Sequence, residues 1–186
     1  ELPYPASPEA VSGVVLSGGT TGVPKAITRT HEADYWYGVH KAVMYRMCDD
    51  DALLYKNPRH LTALIGDIRV LLVTGATLVV VDGFRPEEIL ETVPRERVTH
   101  VALLASEWAR LVDHDAAQQH RWTTIKQYVC SASSASDELK RRVRERFGVR
   151  PFLQVYGATE TGIIAALQDT DVTAPPAVTG RLLPGV

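Results

Sequence analysis

With 186 residues, 45% of them hydrophobic and 23% charged, the chain suits one domain with a real core. The formal net charge of −2 disfavours a nucleic-acid partner, and the one dense basic run, Lys140 to Arg146, reads as the solvated face of a helix. Cys48 and Cys130 lie far apart without metal-ligand spacing, which fits a reducing, cytoplasmic setting; no apolar run reaches membrane-spanning length and no secretory signal is visible.

In chain order, Pro3, Pro5 and Pro8 lead into a short apolar strand, Val11–Leu16. His31–Met47 places Tyr35, Val39, Val43 and Met47 at helical spacing. Ala52–Tyr55 reads as a strand, and Leu61–Val73 as a helix ended by Gly75. Thr77–Val81 is β-branched and apolar, the pattern of a buried strand. Pro86–Val93 is a short helix with proline at its start. A strand at Thr99–Leu104, a helix at Glu107–Asp113 and a strand at Ile125–Cys130 follow. Ser136–Phe147 is a helix with Ser136 as N-cap, Gly148 as C-cap, and Leu139, Val143 and Phe147 on its inner face. Phe152–Tyr156 and Ile163–Leu167 complete the strands.

This alternation predicts an α/β fold, a mostly parallel sheet flanked by helices. Ligands of such folds bind at the carboxyl ends of strands. Three loops rich in small or polar residues follow such ends: Ser17–Lys25, Ser131–Ser136 and Gly157–Gly162. The first is the most informative. Leu16-Ser17-Gly18-Gly19-Thr20-Thr21-Gly22-Val23-Pro24-Lys25 holds three glycines, three hydroxyls and a lysine in ten residues. Glycines let backbone N–H groups approach an anion, and hydroxyls and an ammonium add donors, so the stretch suits a polyphosphate. No glycine directly precedes the lysine, which separates it from the common nucleotide P-loop and argues against a kinase.

Two of these loops carry a resemblance. Ser17 to Lys25 is similar to the phosphate loop of the acyl-adenylate-forming enzymes, the superfamily of acyl-CoA synthetases, nonribosomal peptide synthetase adenylation domains and luciferases. Tyr156-Gly157-Ala158-Thr159-Glu160-Thr161-Gly162 resembles its second signature, an aromatic and a glycine followed by Thr-Glu. Arg29-Thr30-His31 resembles the aryl-acid-activating branch. The resemblance spans essentially the whole chain but only the middle of a family member. It implies the core of a large adenylation domain, a subdomain of the adenylate-forming fold. The chain opens on Glu1 without an initiator Met and closes on a turn-rich stretch, Thr179 to Val186, so it reads as a fragment of a longer protein.

The implied reaction is attack of a small carboxylic acid on the α-phosphate of ATP, release of pyrophosphate, and transfer of the acyl group to coenzyme A or a carrier-protein phosphopantetheine. By resemblance, Ser17, Gly18, Gly19, Thr20, Thr21, Gly22 and Lys25 grip the β- and γ-phosphates. Thr159 donates to the α-phosphate, and Glu160 holds Mg²⁺, whose habit is one or two carboxylates plus phosphates. Tyr156, beside Gly157, matches the residue that stacks on adenine. Ser131, Ala132 and Ser133 stand where the family shows a Gly-Gly-Ala-like adenine-pocket loop, and the added Cβ atoms narrow that space. His60 matches a family histidine or aromatic near the acid and the α-phosphate, and Arg59 is a second candidate for an anionic substrate. Leu61 replaces the Asn of dihydroxybenzoate-type members, which points to a less polar acid. The family's ribose-binding Asp lies further downstream than Asp169 and Asp171, and its catalytic lysine belongs to a small C-terminal domain; no Lys follows Lys140. The chain by itself is therefore expected to hold parts of an ATP site without running the reaction. The competing reading is a non-catalytic or degenerate nucleotide-binding module of the same fold.

Overall fold

The structure is a computed structural model that describes residues 7–17, 25–56, 61–168 and 180–183, with backbone only at 17 and 61–64. Gly18 to Gly22 of the phosphate loop, and Arg59 and His60, lie outside the described residues.

The described strands form two sheets. Strands β1 (Val11–Ser17) and β2 (Lys25–Thr30) make an antiparallel hairpin in register Ser17 to Lys25. The larger sheet runs β4 (Thr77–Val80), β3 (Ala52–Tyr55), β5 (His100–Leu103), β6 (Gln127–Cys130), β7 (Phe152–Ala158), β8 (Gly162–Gln168), β9 (Arg181–Leu182). Its first five strands are parallel; β8 and β9 are antiparallel additions. Helices α1 (His31–Tyr45), α2 (Leu61–Thr74), α3 (Pro86–Arg95), α4 (Ala105–Asp113) and α5 (Asp137–Phe147) flank it.

One core, around Trp108, Tyr128, Phe147 and Phe152, lies where α3, α4 and α5 cover one face of the sheet. Trp108 donates Nε1–H to the Val129 carbonyl at 2.9 Å, which satisfies the buried donor of this core ring. A second core, with Met44, Tyr45, Leu53, Val70 and Leu153, lies under α1 and α2. The caps of α5 form as expected. Ser136 Oγ accepts from the Leu139 N–H at 3.2 Å, and Gly148 leaves the helix at φ +124°. Leu139, Val143 and Phe147 are buried beneath it.

Three expectations are corrected. The strand read at Val11–Leu16 is not part of the parallel sheet. It pairs with β2, a strand not foreseen, and Val11, Val14 and Leu16 are exposed. The strand at Thr77–Val80 is an edge strand, not a buried one, since β3 is its single described neighbour and Val80 is half exposed. β-Branched residues favour a pleated surface but do not say how many neighbours it has. The inner face of α1 is Gly38, Lys41, Met44 and Tyr45, while Tyr35 and Val43 face outward. Here the helices approach closely: a Cβ on Gly38 would lie 2.8 Å from the Arg69 carbonyl oxygen. Lys41 pairs with Asp67 of α2 inside this contact. A buried ion pair and a glycine defeat a reading based on apolar spacing.

Candidate functional site

The parallel order β5-β6-β7 brings the loops after β6 and β7 side by side at the carboxyl edge. The loop after β6 and strand β7 itself line a cavity of about 290 Å³, through Ala132, Ser133, Ser134, Gln154, Val155, Tyr156 and Gly157. Of the residues expected to meet adenine, the structure places Ala132, Ser133, Tyr156 and Gly157 on this one cavity. Ser131 does not line it; its N–H donates to the Leu103 carbonyl at 3.4 Å, extending the β5–β6 pairing.

The loop after β6 is held from four sides. Cys130 Sγ donates to the Ser133 carbonyl at 3.1 Å, and Ser133 Oγ accepts from the Ala105 N–H at 3.3 Å. Gln154 Oε1 accepts from the Ala135 N–H at 2.7 Å, and Ser136 caps α5. Burial pushes the Cys130 thiol up to about 11, so it serves as a packed strut and not as a nucleophile. Ala132 has φ +62°, in the left-handed region that favours glycine. The departure from a glycine-rich loop is therefore borne by backbone strain at the cavity wall.

Gln154 was missed from the sequence. Its signal was there: one carboxamide in an otherwise apolar strand, Phe152-Leu153-Gln154-Val155. Because its oxygen is used by the Ala135 N–H, its amide nitrogen is the group left for a base edge in the cavity. A second missed feature is Lys56 Nζ, 2.6 Å from Glu107 Oε1 beyond the ends of β3 and β5. Glu107 also caps α4, with Oε2 accepting from the Leu104 N–H at 2.8 Å.

Thr159 and Glu160 occupy the tight turn joining β7 to β8, directly after the cavity residues Tyr156 and Gly157. The turn is closed by Ala158 pairing with Gly162, and the Ala158 N–H donates to Thr161 Oγ1 at 3.2 Å. A Cβ at Gly157 would strike the Gly162 carbonyl, so this closure requires glycine. Glu160 is exposed at the tip, and no group of three or more His, Cys, Asp or Glu clusters among the described residues. One exposed carboxylate at such a turn suits a cation that binds through one or two carboxylates plus phosphates, the Mg²⁺ habit.

Lys25 is the exposed first residue of β2, opposite Ser17 at the neck of the phosphate-loop hairpin. The structure does not bring Lys25 onto the cavity; the hairpin is a separate sheet that contacts α1. The Arg29-Thr30-His31 stretch has local duties. Thr30 Oγ1 caps α1 by accepting from the Ala33 N–H at 3.2 Å, and His31 is exposed at the helix start. Arg29 Nε donates to Asp34 at 2.6 Å, and Asp34 also takes Arg69 at 2.5 Å and Ser12 Oγ at 2.6 Å.

Comparison with known proteins agrees with this fold. The chain is 27% identical over 173 residues to an indoleacetate–CoA ligase of Aromatoleum aromaticum, covering 92% of this chain and 34% of that protein. It is 30% identical over 184 residues to a salicyl-AMP ligase/salicyl-S-ArCP synthetase of Mycobacterium tuberculosis, covering 94% and 30%. Among solved structures it matches the amide bond synthetase McbA of Marinactinospora thermotolerans at TM-score 0.83 and 30% identity, covering 99% of this chain and 37% of that one. The chain thus spans about a third of the length of the relatives it matches. The profile of the AMP-binding enzyme family matches residues 1–186, so the chain belongs to the AMP-binding enzymes.

Proposed function

We propose that the complete protein containing this chain is an ATP-dependent acid–thiol ligase, with residues 1–186 in the core of its large adenylation domain. A carboxylate oxygen of the acid attacks the α-phosphorus of ATP, the bond to the β-phosphate bridging oxygen breaks, and acyl-AMP and pyrophosphate form. A thiolate then takes the acyl group and releases AMP. The observation that carries this reading is a cavity of about 290 Å³ between the loop after β6 and strand β7 and, next along the chain, the Thr159–Glu160 turn.

In this assignment Tyr156 offers its half-exposed ring to the base. The Gln154 amide nitrogen meets the base edge. Thr159 donates its hydroxyl to the α-phosphate, where charge develops during the transfer. Glu160 holds Mg²⁺, which when bound neutralises phosphate charge. Ser17 to Lys25 are assigned to the β- and γ-phosphates, and His60 to the acid. Kinship with ligases of indoleacetate and salicylate supports an aromatic acid. The acceptor is coenzyme A or a carrier-protein phosphopantetheine. No described helix is long and apolar enough to cross a membrane, and both cysteines are free thiols, which suits the cytoplasm.

The test is acid-dependent pyrophosphate–ATP exchange by the complete protein, screened over aryl and alkyl acids, then acyl transfer to coenzyme A, a carrier protein or an amine. Exchange is expected with the wild type. Glu160→Ala and Lys25→Ala are each expected to lose about 100-fold or more, the range for removing one group that stabilises transition-state charge. Full exchange in Glu160→Ala would sink the metal role. Wild type inert toward every acid, yet binding ATP, would favour the non-catalytic module.

A further inference from the structure

Tyr37, on α1, belongs to neither apolar core, yet its ring is enclosed by three other elements. On one edge, a Cβ at Gly162 would lie 2.7 Å from Tyr37 Cδ2 and Cε2. On the other, a Cβ at Gly66 of α2 would lie 3.2 Å from Cε1 and the hydroxyl. Over its face, the Arg29 guanidinium carbon stands 5.5 Å from the ring centroid. Gly162, at φ +69°, is the residue that closes the Thr159–Glu160 turn by pairing with Ala158. Arg29 is on β2, the strand that begins at Lys25, and is itself clamped by Asp34. One flat ring therefore touches the closing residue of the second signature and the strand that carries the phosphate loop.

We propose that Tyr37 is a positioning residue that sets the Thr159–Glu160 turn against the phosphate-loop hairpin; this rests on the adenylation reading above. Phosphoryl transfer depends on holding attacking group, α-phosphate and leaving group in line, and a displacement of about 1 Å costs on the order of 100-fold. The hairpin is a two-stranded sheet of its own, a unit that is marginal without packing partners. A rigid ring with two rotatable bonds is a low-entropy wedge for that task. Glycine at 162 leaves the ring its space, and the Arg29 contact adds a cation–π attraction. The ring acts through the turn and touches no reacting atom.

The test uses the complete enzyme, its best acid at saturation, and pyrophosphate–ATP exchange measured against magnesium and ATP concentration. Tyr37→Phe keeps the ring and is expected within about twofold of wild type. Tyr37→Leu is expected to lower kcat about tenfold and to raise severalfold the magnesium concentration for half-maximal rate. Competition by adenosine, which reports the cavity alone, should stay unchanged. If Tyr37→Leu yields no folded protein, Tyr37→Met carries the same readouts. A variant with a lowered melting temperature but wild-type kcat and magnesium dependence makes the ring mere packing and overturns the proposal. So does a Tyr37→Phe as impaired as Tyr37→Leu, since the role would then belong to the hydroxyl. A wild type without exchange overturns the adenylation reading itself, and is seen before any variant is made.

Discussion

Ala132 is the residue at which the cavity wall carries a measurable cost. A left-handed conformation disfavours any side chain with a Cβ by about 1–2 kcal/mol, and glycine returns part of that gain by loosening the unfolded chain, about 0.4–1 kcal/mol. Ala132→Gly is therefore expected to stabilise the protein by about 0.5–1 kcal/mol, read from the urea midpoint at constant m-value. The same variant widens the cavity beside Tyr156 and Gly157 and should not weaken nucleotide binding. The residue chemistry of this wall was legible in advance, because Ser131-Ala132-Ser133 stands between a strand and a capped helix. The dihedral was not, because φ at Ala132 is imposed by what holds the loop: the Cys130, Ala105 and Gln154 contacts. Those partners are up to 28 residues away in sequence.

At the scale of elements, α1 and α2 meet across a buried charge. Burial by itself would lower the Lys41 ammonium, but Tyr45 and Asp67 beside it hold it above the ordinary lysine value. Removing one partner strands the other charge, at a typical cost of 3–5 kcal/mol, whereas replacing both with apolar groups of similar volume is often near neutral. Lys41→Met is thus expected to destabilise by about 3 kcal/mol, and Lys41→Met with Asp67→Leu to recover most of it, measured by chemical denaturation. Capping and turn chemistry were readable at this scale, as Ser136 and Gly148 bracket α5 where the residues place them. The buried face of α1 was not, because Tyr35 and Val43 match the helical apolar period while the surface opposite them is not α2. The β1–β2 hairpin was hidden for a similar reason. Lys25–Thr30 alternates poorly, and its strand character comes from its pairing with Val11–Ser17.

Across the whole molecule, the two ends of the parallel strands do different work. The carboxyl edge carries the cavity and the Thr159–Glu160 turn. The amino edge carries a polar lock of Asp51, Thr99, His100 and Lys126 just before or at the start of β3, β5 and β6. His100 Nε2 donates to the Tyr45 carbonyl at 2.9 Å, and its Nδ1 lies 2.8 Å from Thr99 Oγ1. Burial disfavours its charged form and holds it below the ordinary value of 6.5. The folded state then binds fewer protons than the unfolded state, so stability is present above about pH 6.5 and falls as pH drops below it. Burial would raise the Asp51 carboxyl, yet hydrogen bonds from Lys126, the Cys48 N–H and Thr99 bring it down to about 2. Its contribution is present above the ordinary 3.8 and is lost as pH falls from there toward 2. Urea midpoints followed from pH 7.5 to 5 should decline below about 6.5, and His100→Gln should flatten that decline; an unchanged slope would remove His100 from the lock.

By themselves the residues determine the family and the α/β alternation. Glycines, hydroxyls, caps and strand runs express their chemistry within a few positions of themselves. Tertiary structure alone decided that β4 is an edge, that β1 leaves the parallel sheet, and that α1 buries a lysine. It also decided that Gln154 faces the cavity and that Tyr37 reaches Gly162. Each of these is set by which distant surface a residue meets, and that surface exists once the sheet order has formed.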